Sequence, residues 1–189
     1  METINIALCG LGGQGILFMT KILAQTALDK GLNVMGAETH GMAQRGGSVI
    51  SHLRLGDVES SLVRTGSAKF LISLDENEGY RNLPFLARGG WFYVNTDSTN
   101  FPREEVKSFL AERDICHRSL PAGSLAQGLG APLSSNLALL GYFSSFKEAP
   151  ATHEEMRNTI EKISPDQFKE INLKVYDAGH ERGMKERQG

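Results

Sequence analysis

Between Cys9 and Ala27 the chain reads CGLGGQGILFMTKILAQTA, and the glycines at 10, 12 and 15 satisfy G-x-G-x-x-G. The first glycine of that pattern allows a tight turn, the second lets backbone approach a ligand, and the third permits close helix–strand packing. A helix starting there aims N–H groups and a partial positive charge at the turn, which is binding chemistry for an anion. Gly13 and Gln14 are not asked for by the pattern, and the Gln14 amide is suited to fixing an amide or a carbonyl. A dinucleotide pyrophosphate is one candidate occupant. For NAD an acid should end the second strand and hold the ribose; Glu38 is available, somewhat later than the usual roughly 20 residues on.

A second cluster, ETHGMAQRGGS, runs from Glu38 to Ser48. Arg45 offers a planar fork of donors for phosphate or carboxylate, and the N–H groups of Gly46 and Gly47 beside it can form an anion nest. His40 is a residue type that could serve as acid or base near neutral pH, but no carboxylate or nucleophile is tied to it by spacing, which favours a structural role. Gln44 can fix an amide or carbonyl as Gln14 can.

Other chemistry fails on inspection. No G-x-S-x-G elbow accompanies the serines, GLGGQG lacks the Lys-Ser/Thr ending of a P-loop, and His52, His117, His153 and His180 lack metal-ligand spacing. The two cysteines, Cys9 and Cys116, are too few for a zinc or iron–sulfur cluster and read as small core residues on strands. A formal net charge of -2 with scattered Lys and Arg argues against a nucleic-acid partner. No apolar run approaches the ~18 residues of a membrane span, and METINIALCG lacks the features of a signal peptide, so the expected location is cytoplasmic.

The elements that must position these clusters can be read from apolar spacing. INIALCG is a strand, and Ile16, Met19, Leu23 and Ala27 repeat at helical spacing up to a stop at Gly31. GLNVMGAE then returns as a second strand, as in a βαβ unit. In GGSVISHLRLGDVESSLVRTG, Val49, Leu53 and Leu55 alternate with Ile50, His52 and Arg54, and Gly56-Asp57 is a candidate hairpin turn, so an antiparallel hairpin is inserted there. AKFLISLDENEG and GGWFYVNTD read as parallel interior strands, and ICHRSLPAG as a weaker one. Helices are expected over 102–112, 122–129, 135–146, 153–163 and 165–184, and GHERGMKERQG reads as a solvated helix end. Asn136 opens an apolar helix, where capping competes with binding. The fold class is α/β: a three-layer α/β/α, Rossmann-like, mostly parallel sheet with an antiparallel hairpin insertion, expected as one domain over 1–189. In such a sheet the ligand crevice lies outside the carboxyl ends of the strands, which here are Gly10 to Gly15, Glu38 to Gly47, Asp75 to Asn77, Asn95 to Asp97 and Pro121 to Ser124.

Taken in order, GLGGQG, ETHGMAQRGGSVISHLRLG, GGWFYVN, PAGSLAQGLG and SSNLALLG resemble the gamma subunit or domain of the 2-oxoacid:ferredoxin oxidoreductases, over about Ile4 to Gly141. The wording ETHGMAQRGGS looks most like the small beta subunit of the indolepyruvate-type enzymes. Such enzymes decarboxylate a 2-oxoacid on thiamine diphosphate, pass electrons through 4Fe–4S clusters to ferredoxin, and release an acyl-CoA. The resemblance implies a subunit without covalent chemistry of its own, docked on a larger partner that carries both cofactors. Coenzyme A is then the co-substrate whose acyl side this chain helps to shape. The matched positions are Gly10, Gly12, Gly13, Gln14 and Gly15; Glu38, His40, Gly41, Gln44, Arg45, Gly46 and Gly47; and Asn136. The rival reading from the residues is a free-standing NAD(P)-binding reductase that uses the Gly10–Gly15 turn and Glu38. The choice of 2-oxoacid, and whether the isolated chain pairs with itself as a homodimer, stay open.

Overall fold

Four apolar residues in a row, Ile6 to Cys9, are fully buried in β1 (Ile4–Leu11), because this strand is covered on both faces. The computed structural model describes residues 3–40 and 46–188, with His40 described through its backbone only. After β1 come α1 (Ile16–Asp29), β2 (Val34–His40), β3 (Ser48–Leu55), β4 (Ala68–Ser73), α2 (Glu76–Asn82), β5 (Leu86–Asn95), α3 (Glu104–Glu112), β6 (Cys116–Leu120), α4 (Ala122–Gly128), α5 (Ser135–Ser144), α6 (His153–Ile163) and α7 (Asp166–Gln188).

The strands form one sheet in the order β2-β3-β1-β4-β5-β6. All pairs among β1, β4, β5 and β6 are parallel, whereas β3 runs antiparallel to both β1 and β2. Residues of alternate parity face two cores. Ile6, Leu8, Phe70, Ile72 and Tyr93 pack with α1 and with residues of α4 to α7, while Ala7, Cys9, Leu71, Phe92 and Val94 pack with Leu83, Leu110 and Ile115 on the other face. The result is the expected three-layer α/β/α architecture. No helix among the described residues is long and apolar enough to cross a membrane.

The antiparallel insertion is present, with a different partner from the one expected. Leu55 leaves β3 into Gly56, whose N–H donates to the Asn33 carbonyl at 2.9 Å, and residues 57–67 form no strand. That stretch carries Asp57, Glu59, Ser60 and Ser61 and buries Val63 alone, so it lacks the alternating apolar face of a strand. The hairpin is β2–β3, joined through 41–47, and β3 separates β2 from β1 where a simple βαβ unit would pair them.

Three further expectations change. Cys116 is exposed at the start of the edge strand β6, while Cys9 is fully buried as expected. The tail is not merely solvated: Gly179 and Gly183 are buried against α5. Helix α2 falls where the sequence reads a strand running into acids; the Asp75 carboxylate accepts from the Glu78 N–H at 3.0 Å and caps it.

Candidate functional site

The antiparallel placement of β3 brings the two glycine clusters to the same end of the sheet. In register, Gly10 lies opposite Val49 and Leu11 opposite Ser48, so the exit of β1 meets the entry of β3. The Gly12 N–H donates to the Gly47 carbonyl at 2.8 Å.

The turn itself is held from within. Gln14 Oε1 accepts from the Leu11 N–H at 2.7 Å, and its Nε2 donates to the Leu74 carbonyl at 3.4 Å. A side chain at Gly10 would run into Gln14 Oε1 at 2.6 Å and Ile16 at 3.0 Å, which explains the first glycine. Gly15 sits at φ +84, in the left-handed region, as the residue before α1, and makes no side-chain cap. The Asn136 side chain, 5% exposed, donates to the Gly15 carbonyl at 3.2 Å. Asn136 therefore braces the turn from α5 and does not act as that helix's cap, since Ser134 holds the cap position.

A hydrogen-bonded line crosses the carboxyl ends of the strands. Asn95 Nδ2 donates to the same Leu74 carbonyl as Gln14, at 3.1 Å, and Asn95 Oδ1 accepts from the Gly123 N–H at 3.0 Å. Gln14, Leu74, Asn95 and Gly123 thus tie the ends of β1, β4 and β5 to the start of α4. Below the glycine clusters, Ser48 Oγ donates to Glu78 Oε2 at 2.6 Å, and Arg81 donates to Glu78 Oε1 at 2.9 Å. Cys9, underneath, donates its thiol to Ser73 Oγ at 3.2 Å. Burial pushes this thiol up to about 12, with the charge of Glu78 acting in the same direction, so it is a protonated core group and not a nucleophile.

Of the sequence-derived residues, the structure gathers Gly10, Gly12, Gly13, Gln14, Gly15, Gly46, Gly47 and Asn136 around one turn. Gly41, Gln44 and Arg45 lie outside the described residues, as does the side chain of His40. Glu38 is not brought to the turn. It pairs with Ser51, which pairs with Leu8, so it stands level with the middle of β1 and two strands away, roughly 10 Å across the sheet. An acid that holds a ribose in the usual dinucleotide site belongs on the strand beside β1, and here β3 occupies that place.

Sequence reasoning missed Ser48, Leu74 and Glu78. The signal for Glu78 was present: Asp75-x-x-Glu78 has the spacing of a capping motif. Beside the turn, Asn136 also lines an apolar groove of about 490 Å³ with Phe18, Leu133, Leu137, Phe168 and Ile171. The groups that surround the turn are amides, hydroxyls and N–H donors, the inventory of a binding surface for an anionic or carbonyl-bearing group.

Comparison with known proteins gives concordant results. The family model described as pyruvate ferredoxin/flavodoxin oxidoreductase matches residues 5–182. A chain named indolepyruvate oxidoreductase subunit IorB, from Archaeoglobus fulgidus, is 32% identical over 194 residues, covering 96% of each chain. Among solved structures, the gamma subunit of a keto/oxoacid ferredoxin oxidoreductase from Geobacter sulfurreducens superposes with a TM-score of 0.76 at 20% identity, covering 96% of this chain and 99% of that one. A 2-oxoglutarate:ferredoxin oxidoreductase from Magnetococcus marinus, solved with 2-oxoglutarate, coenzyme A and succinyl-CoA, superposes at 0.77 and 16% identity, covering 98% of this chain and 32% of that one. At these identities the two structures share the fold.

Proposed function

The chain belongs to the pyruvate ferredoxin/flavodoxin oxidoreductase family, and from that premise we propose that it serves as the gamma-type accessory subunit of a 2-oxoacid:ferredoxin oxidoreductase, holding the coenzyme A side of a site completed by a partner. Residues 1–189 act as one such domain. The larger partner carries thiamine diphosphate and the 4Fe–4S clusters, and ferredoxin takes electrons from the assembled enzyme. Near full-length similarity to the IorB chain favours an assembly of the indolepyruvate type.

The observation that carries this reading is the bond from Gly12 to Gly47, which makes one surface of the two glycine clusters. Gly13 and Gly15, with φ of +96 and +84, keep that surface free of side chains at the N-terminus of α1. A pyrophosphate set there meets N–H donors and the positive end of the helix dipole. Arg45 precedes Gly46 directly and supplies a bidentate partner for a phosphate. With the Cys9 thiol protonated and the Glu78 carboxylate committed to Ser48 and Arg81, these groups bind and orient rather than react. The thiamine group of the partner supplies the decarboxylating chemistry. The free-standing reductase reading loses its ribose-holding acid, because Glu38 stands two strands from β1.

The test is reconstitution. Co-expressed with its thiamine- and iron–sulfur-containing partner, the chain should co-purify and restore 2-oxoacid-dependent, CoA-dependent reduction of ferredoxin. Full activity of the partner without this chain would contradict the reading.

A further inference from the structure

Glu78 is a buried carboxylate, 4% exposed, that lies outside both glycine clusters. A buried charge is tolerated when its lone pairs are filled, and here both oxygens have partners. Arg81, one turn along α2 and largely exposed, fills Oε1, while Ser48 on β3 fills Oε2 with a short, charge-assisted bond of 2.6 Å. The Asp75 cap fixes the backbone of Glu78, and α2 packs against β1, β4 and β5.

Ser48 is the first residue of β3 and lies opposite Leu11, the last residue of β1. The carbonyl just before it, on Gly47, accepts the Gly12 N–H. A continuous line therefore runs from the packed and capped α2 through Glu78, Ser48 and Gly47 to the amide of Gly12. Glycines at 46, 47 and 12 leave the backbone there with little of its own to fix it. A charged tether is directional, whereas an apolar pair of the same volume would contribute similar stability without fixing an orientation.

We infer that Glu78 is a positioning residue for the anion-binding turn: through Ser48 it sets where Gly46–Gly47 re-enter the sheet, and so where the Gly12–Gly47 bond holds the turn that a phosphate-bearing ligand meets. The inference rests on the coenzyme A reading of the turn.

The assembled enzyme provides the test, with Ser48→Ala, Glu78→Ala and Glu78→Gln compared with Arg45→Ala. Three quantities are read: KM for CoA, kcat, and hydrogen exchange at the Gly12 amide. Ser48→Ala and Glu78→Ala should raise KM for CoA about fivefold to tenfold, the cost of one misplaced charge-assisted contact, with kcat within about twofold. Exchange at Gly12 should speed by a similar factor. Glu78→Gln keeps an oxygen for the Ser48 hydroxyl and should recover most of the loss. If Glu78→Ala does not assemble, Ser48→Ala, which removes only one oxygen, is decisive.

An unchanged KM in Ser48→Ala while Arg45→Ala raises it would overturn the positioning role alone. Faster Gly12 exchange without a change in KM would do the same, since the tether would then hold backbone and not ligand. An unchanged KM in Arg45→Ala as well would remove the coenzyme A reading and the inference with it.

Discussion

The amide of Gly12 donates to the carbonyl of Gly47 at 2.8 Å, closing a contact between two glycine clusters that are separated in sequence by all of α1 and β2. The contact exists because β3 inserts antiparallel beside β1, so the last residues of one strand face the first of the other. Sheet topology, rather than local sequence, thus makes one surface out of two loops.

Gly15 is the most constrained residue of that surface. An added Cβ would lie 2.5 Å from Asn136 Nδ2 in addition to the left-handed φ of +84. Gly15→Ala should destabilise the chain by about 2–4 kcal/mol, combining left-handed strain with overpacking. In Gly15→Ala/Asn136→Ala the clash is absent, so about 1–2 kcal/mol of strain should remain from this source beyond the cost of Asn136→Ala alone. Urea denaturation of the four-member cycle measures both. Simple additivity would show that Asn136 does not press on the turn.

Helices α5 and α7 meet backbone to backbone. A Cβ on Gly179 would lie 2.0 Å from the Ala138 carbonyl oxygen, and one on Gly141 would lie 1.9 Å from that of Tyr176. Neither neighbour is a flexible side-chain end, so Gly179→Ala must push the helices apart at a cost of about 3 kcal/mol or more. A melting temperature within experimental error of the parent would contradict this packing.

Much of the local architecture is legible in the chain before any coordinates. The Ile16, Met19, Leu23, Ala27 spacing and the continuous apolar runs of β1 and β4 are near-neighbour patterns, and each element forms where its pattern lies. Pairing is less legible, because a strand's periodicity says which face it buries and not which strand it lies beside. Leu55-Gly56-Asp57 therefore reads as a hairpin turn, although β3 folds back on β2. Glu78 illustrates the same limit in the site: Asp75-x-x-Glu78 announces a short helix, but the Ser48 hydroxyl that gives the carboxylate its role arrives from another strand. Gly179 likewise reads as part of a polar tail until α5 is seen against it.

The two cysteines should behave oppositely. Cys116 is exposed, whereas burial raises the Cys9 thiol from an ordinary 9.0 to about 12. In the native chain at pH 8, iodoacetamide should alkylate Cys116 and spare Cys9 until urea is added. Because the folded value lies above the unfolded one, the native state favours the protonated thiol. Its contribution is fully present below pH 9 and is lost as pH rises toward 12, by up to about 4 kcal/mol. Burial raises Tyr93, Tyr142 and Tyr176 in the same direction, so their loss adds to the alkaline limb. A pH–stability profile flat from 9 to 12, or equal labelling of both thiols, would contradict the burial of Cys9.

The coenzyme A side of the site is tested most directly by the apparent KM for CoA of the assembled oxidoreductase carrying Arg45→Ala. If Arg45 holds a CoA phosphate as proposed, losing that charge-assisted contact of about 1.5–3 kcal/mol should raise that KM by roughly ten- to a hundredfold, with kcat within about twofold because the partner's chemistry is untouched. An assembled Arg45→Ala enzyme with the parent KM would contradict the assignment of this surface to coenzyme A.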